Sequence, residues 1–132
     1  MITYEKIQSV ADHIAREFKP NRIILFGSYA RGEGNENSDV DLFVEMQPVG
    51  SHREQCIAIR TSLWQNFKPW PFPMDIVVYR PEETEEWQKS VNSFASAVLR
   101  DGKTLYESGN RTSNNTPGAR IFSEGGRGSG GG

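Results

Sequence analysis

The segment Asp39-Val40-Asp41-Leu42-Phe43-Val44-Glu45-Met46 constrains the fold more than any other part of the chain. Val40, Leu42, Val44 and Met46 take alternate positions, the period of a β-strand, and give it one apolar face. Asp39, Asp41, Phe43 and Glu45 fall on the other face. Strand interiors are ordinarily poor in aspartate. The spacing of Asp39 and Asp41 puts both carboxylates on one side, with α-carbons about 6 to 7 Å apart. Two like charges this close resist ionising together when partly buried, and a divalent cation relieves the conflict. The plainer alternative has Asp39 capping a turn after Ser38 and Asp41 on a wet sheet face.

The flanking sequence supplies the rest of an α/β unit. Ile7, Val10, Ala11, Ile14, Ala15 and Phe18 recur at helical spacing, so a helix is expected from about Thr3 to Lys19. Thr3 can cap it, and Pro20-Asn21 stops it. Arg22 to Phe26 is short and rich in β-branched residues, which predicts a buried strand. Ser28 to Arg31 reads as one helical turn and Gly32 to Ser38 as a loop. A helix is expected over His52 to Phe67, with Cys56, Ile59, Leu63 and Phe67 inward. Lys68 to Pro73 reads as a turn, and Asp75 to Tyr79 as a third strand. Pro81 suits the first position of a last helix, and Glu82, Glu83, Glu85 and Glu86 favour its positive end. Trp87, Val91, Phe94, Ala95 and Val98 would form its buried side, Asp101-Gly102 would end it, and Thr104 to Tyr106 would be a short strand.

A chain of 132 residues suits one domain. Residues 1–107 are read as that domain, and residues 108–132, rich in Gly, Ser and Asn, as a flexible, disordered tail. The net charge of −2 gives no support to nucleic-acid binding by the whole surface, and the tail has few basic residues for an RGG-like contact. Cys56 is the one cysteine, so no disulfide forms within the chain, and a reducing, cytoplasmic setting fits. No stretch approaches the roughly 18 to 20 apolar residues of a membrane span.

Gly27-Ser28, at the end of the first strand, adds a second half to the aspartates. A glycine there permits close approach of a ligand. The Ser28 hydroxyl and free backbone N–H groups can meet phosphate oxygens. Arg31, one turn later, can offer forked donors. Each element alone is ordinary turn chemistry. Together they place an anion cradle beside a metal cage, with Asp75 as a third carboxylate if its strand is a neighbour.

These residues carry a resemblance. GSYARGEGNENSDVDLFVEM, followed by DIVVYR, resembles the nucleotidyltransferase fold shared with DNA polymerase beta. The family pattern of Gly-Ser, ten residues, then Asp-x-Asp is matched without a gap by Gly27-Ser28, Tyr29 to Ser38, and Asp39-Val40-Asp41. Within that family, from about Ile7 to Tyr106, the chain is similar to the minimal nucleotidyltransferases, small prokaryotic proteins often paired with a helical HEPN partner. The resemblance implies a small mixed sheet flanked by helices. It implies Mg2+, with Mn2+ as a substitute, between the triphosphate of ATP and Asp39, Asp41 and Asp75. Asp39 and Asp41 would share two ions, and Asp75 would hold the activating ion or help remove the acceptor's proton. Gly27, Ser28 and Arg31 would bind the nucleotide, Ser28 at the β- or γ-phosphate. It further implies transfer of AMP to a tyrosine of a HEPN toxin, with the chain acting as antitoxin in a hetero-oligomer; a homo-oligomer stays open.

Two other readings stand beside this one: an antitoxin that neutralises by contact alone, and transfer to a small molecule or an RNA end. Enzymes of the last kind usually carry a further domain for the acceptor. His13 and His52 lack metal-ligand spacing and read as surface or local hydrogen-bonding groups. Trp64, Phe67, Trp70 and Phe72 read as an aromatic core cluster, with a partner surface as the second reading. The direction of Tyr29 is left open.

Overall fold

A computed structural model describes residues 2–35, 37–90 and 93–108. The tail expected from residue 108 onward lies outside these residues, apart from Ser108. The elements run α1 (Tyr4–Phe18), β1 (Arg22–Phe26), β2 (Val40–Glu45), α2 (His52–Asn66), β3 (Met74–Tyr79), α3 (Pro81–Gln88), α4 (Phe94–Asp101) and β4 (Lys103–Glu107). The strands form one sheet in the order β3-β2-β1-β4. β1 is antiparallel to β2 and to β4, whereas β2 and β3 are parallel. A parallel neighbour needs a crossover, and α2 supplies it.

Local chemistry sets the helix ends. Thr3 Oγ1 accepts from the Lys6 N–H at 3.2 Å, and Lys19 takes the left-handed conformation at φ 49° before Pro20. Ser51 and Glu54 close a reciprocal capping box at the start of α2. One face of the sheet, with Ile23, Leu25, Val40, Leu42, Val44, Ile76 and Val78, packs on Ile7, Val10 and Ile14 of α1 and on Ile59 and Leu63 of α2. The other face, with Ile24, Phe43, Val77 and Tyr79, meets Val98 and Leu99 of α4. The result is a small mixed sheet with helices on both sides, as the sequence leads one to expect.

Helix α2 gives a stability test of this layering. Leu63 is fully buried, whereas Ile57 on the same helix is 51% exposed. Leu63→Ala is expected to cost about 2–5 kcal/mol in urea unfolding, and Ile57→Ala within about 0.5 kcal/mol of zero. Equal losses would contradict the assigned inner face.

The structure corrects several expectations. The single helix after Pro81 is two helices. Ser93 Oγ donates to the Trp87 carbonyl at 2.6 Å and accepts from the Ser96 N–H at 3.0 Å, so it caps α4 instead of continuing α3. Trp87 and Phe94, expected inside on one helix, lie on separate helices and are 51% and 44% exposed. Val91 lies outside the described residues. Asp39 precedes β2 instead of lying within it. Of its two readings, His13 takes the hydrogen-bonding one and not the surface one: it is buried, and its Nε2 shares a hydrogen bond of 2.8 Å with Ser62 Oγ of α2. Burial, helped by Arg16, lowers its pKa. In the expected aromatic cluster Phe72 is core, while Trp64 stacks obliquely on Trp70 at 6.4 Å and stays exposed.

Candidate active site

Burial along β2 is uneven. Phe43 and Glu45 share a strand face with Asp41, yet both are buried. Glu45 is held by Arg22, directly opposite on β1, through bonds of 3.0 and 3.2 Å. The Asp41 end is where β1 stops, and there the carboxylate is only partly buried.

Register brings the carboxylates together. Asp41 pairs with Phe26 on one side and with Asp75 on the other. Directly paired residues present side chains to the same face, so Asp41 and Asp75 flank one another on adjoining strands. Asp39 lies two residues before Asp41, at the mouth of the strand. The Asp41 pKa is raised, first by burial, then by the charges of Asp75 and Asp39, and Arg31 opposes the shift. Four of the residues singled out in the sequence thus share one electrostatic neighbourhood. Among the described residues no three His, Cys, Asp or Glu side chains close into a metal-holding cluster. The donor set itself suits a hard divalent cation, being all carboxylate oxygen. A cation would also remove the repulsion that raises Asp41.

Gly27 joins the two halves of the site. Its φ is +77°, and a Cβ there would overlap Asp41 Oδ2 and stand 3.1 Å from Asp41 Cγ. Only glycine leaves that carboxylate in place at this backbone angle. The turn that follows is hydrogen-bonded within itself: Ala30 and Arg31 N–H donate to the Gly27 carbonyl at 3.1 and 3.3 Å, and Glu33 N–H donates to the Ser28 carbonyl at 2.9 Å. Among the described residues the Ser28 and Tyr29 N–H groups make no such bond, and two successive amides of this kind can hold an anion. Arg31 is exposed beside them and pairs with Glu33 at 3.0 Å. Tyr29 turns inward: its hydroxyl donates to the Asn35 carbonyl at 2.7 Å, and its own carbonyl accepts from Tyr4 at 2.6 Å. Its ring anchors the loop, and only its backbone N–H contributes to the anion cradle.

Arg60 was not singled out in the sequence. It donates to the Met74 carbonyl at 2.8 Å and reaches within 4.0 Å of Asp75 Oδ1, which holds a positive charge beside the third carboxylate. The crossing of α2 over β3 creates this proximity, and helical spacing alone carries no signal of it.

The chain is similar to known proteins. The family model described as nucleotidyltransferase domain matches residues 7–110. The protein adenylyltransferase MntA of Thermococcus cleftensis is 40% identical over 55 residues, 39% of this chain and 56% of that protein. A Methanocaldococcus jannaschii protein, provisionally named a protein adenylyltransferase, is 36% identical over 88 residues, 64% of this chain and 77% of its own length. The chain thus spans little more than half of the first relative and about three quarters of the second. A crystal structure from Sulfolobus solfataricus, provisionally named a nucleotidyltransferase, superposes with a TM-score of 0.52 at 14% identity and covers 78% of each chain. That last likeness concerns the fold.

Proposed function

Because the chain belongs to the nucleotidyltransferase domain family, we propose that it transfers AMP from ATP to a protein hydroxyl, a tyrosine of a HEPN-type toxin, and so acts as that toxin's antitoxin. The observation that carries this reading is the register of Asp41 with Asp75, beside a glycine that leaves room for the Asp41 carboxylate. Two relatives named as adenylyltransferases support the choice of AMP.

Each residue then has a task. Asp39, Asp41 and Asp75 would hold magnesium or manganese, which would supply positive charge to the triphosphate and acidify the acceptor hydroxyl. Ser28 and Tyr29 N–H groups receive a phosphate oxygen, and Arg31 adds charge at the same end. The acceptor oxygen forms a bond to the α-phosphorus as the bond to the bridging oxygen breaks. Pyrophosphate leaves, and the hydroxyl proton passes to the exposed Asp75 carboxylate. Catalysis of this type rests on positioning and charge more than on covalent chemistry by the protein.

The test incubates the purified chain and its helical partner with magnesium and ATP labelled in the α-phosphate. Label is expected on a partner tyrosine, and lost with Asp39→Asn although the complex still forms. Neutralisation by Asp39→Asn without any transfer would favour action by contact alone.

A further inference from the structure

A groove of about 150 Å³ opens beside the anion cradle. Gly27 and Arg31 form one wall, Phe94, Ala97 and Asp101 of α4 the other, and Phe26 also lines it. The three α4 residues are spaced i, i+3 and i+7, so they share one helical face about 10 Å long. Phe94 is 44% exposed although aromatic rings surround it. Phe26 meets it edge-on at 5.2 Å, with Tyr79 at 6.1 Å and Phe43 at 6.4 Å. The α4 wall is fixed at its end. A Cβ on Gly102 would fall 2.5 Å from Ile24 Cγ2 and 2.9 Å from the Leu25 carbonyl, so the helix terminus lies directly on β1.

We infer that this groove holds the nucleobase of the donor, with Phe94 as its stacking platform. The inference rests on the nucleotidyltransferase reading above. Three observations select a base over other occupants. The groove shares Gly27 and Arg31 with the anion cradle, so its occupant lies within reach of the bound phosphates. A positioned ring with an accessible surface is suited to stacking on a planar heterocycle. The sheet order separates it from the acceptor: Asp75 lies on the edge strand β3, whereas the groove lies on the β1 side of Asp41. With Asp75 taking the acceptor's proton, as proposed above, the acceptor would approach from the β3 side and leave the β1 side to the donor.

The test compares ATP with inorganic tripolyphosphate, each titrated calorimetrically with magnesium into the intact chain. Phe94→Ala is expected to weaken ATP about tenfold or more while tripolyphosphate changes by less than about twofold. Phe94→Trp should retain ATP affinity. Ala97→Leu, which fills the groove without removing a core contact, should reproduce the selective loss and guards against misfolding of the alanine variant. Equal weakening of both ligands, or full ATP affinity in Phe94→Ala and Ala97→Leu, would overturn the inference. So would unchanged ATP binding with lost transfer, which assigns the groove to the acceptor. A wild-type chain that binds neither ligand overturns the nucleotidyltransferase reading itself, and the groove with it.

Discussion

Asp41→Asn is expected to abolish nucleotidyl transfer and, at neutral pH, to raise the melting temperature of the metal-free chain. The two effects have one cause. Asp41 lies against Asp75 in register, with Asp39 nearby, and burial and both charges raise its pKa. For a carboxylate raised in the folded state, the native chain binds more protons than the unfolded chain between the two pKa values. Stability therefore falls as pH rises through that window, and the charged group remains a cost above it. Asparagine keeps the shape and removes the charge. On the proposed reading asparagine also removes one shared metal ligand and with it several kcal/mol of charge stabilisation, at least roughly 10² to 10³-fold in rate. Scanning calorimetry without divalent ions reads the first effect, and label transfer reads the second. The wild type should also lose divalent-ion affinity on acidification at a higher pH than an ordinary aspartate site. A lower melting temperature in Asp41→Asn would show that the carboxylate is a structural partner and not an uncompensated charge.

Gly27→Ala is the second large effect, and Gly32→Ala is its control. Both glycines have left-handed backbones, at φ +77° and +76°. Alanine at either position costs about 1–2 kcal/mol from the backbone alone. Their surroundings differ. A Cβ on Gly32 meets nothing within 4 Å, whereas one on Gly27 overlaps the Asp41 carboxylate. Transfer by Gly27→Ala should fall at least about 10²-fold as Asp41 is displaced, since small misplacements at a reacting centre carry such penalties. Gly32→Ala should keep activity within a few-fold at a similar loss in urea stability. Parallel activity losses in the two variants would mean that strain in the turn, and not the position of Asp41, sets the rate.

Much of this site is legible in the sequence because its logic is local. Val40, Leu42 and Val44 alternate strictly enough to define a strand, and aspartates at its start are costly without a partner. Gly27 stands out because it ends a buried strand. What escapes the sequence depends on tertiary neighbours. Helical spacing puts Trp87 and Phe94 on one stripe, but the Ser93 cap breaks the helix between them, and both emerge half-exposed. Phe94 thereby moves from a core residue to the wall of a groove. Arg60 reaches Asp75 only because α2 crosses β3. The burial of Phe43 and Glu45 follows from helices that come later in the chain. Alternation identified their strand face but not what would cover it.

The proposed function stands on a metal-nucleotide site built by Asp39, Asp41, Asp75 and the Gly27-Ser28 turn. Crystals grown with Mn2+ and a non-hydrolysable ATP analogue test it most directly, through the anomalous signal of manganese. An anomalous peak is expected within coordination distance of Asp41 and at least one of Asp39 and Asp75, with a phosphate oxygen on the Ser28–Tyr29 amides. Manganese bound away from these carboxylates, or a triphosphate seated elsewhere on the chain, would contradict it.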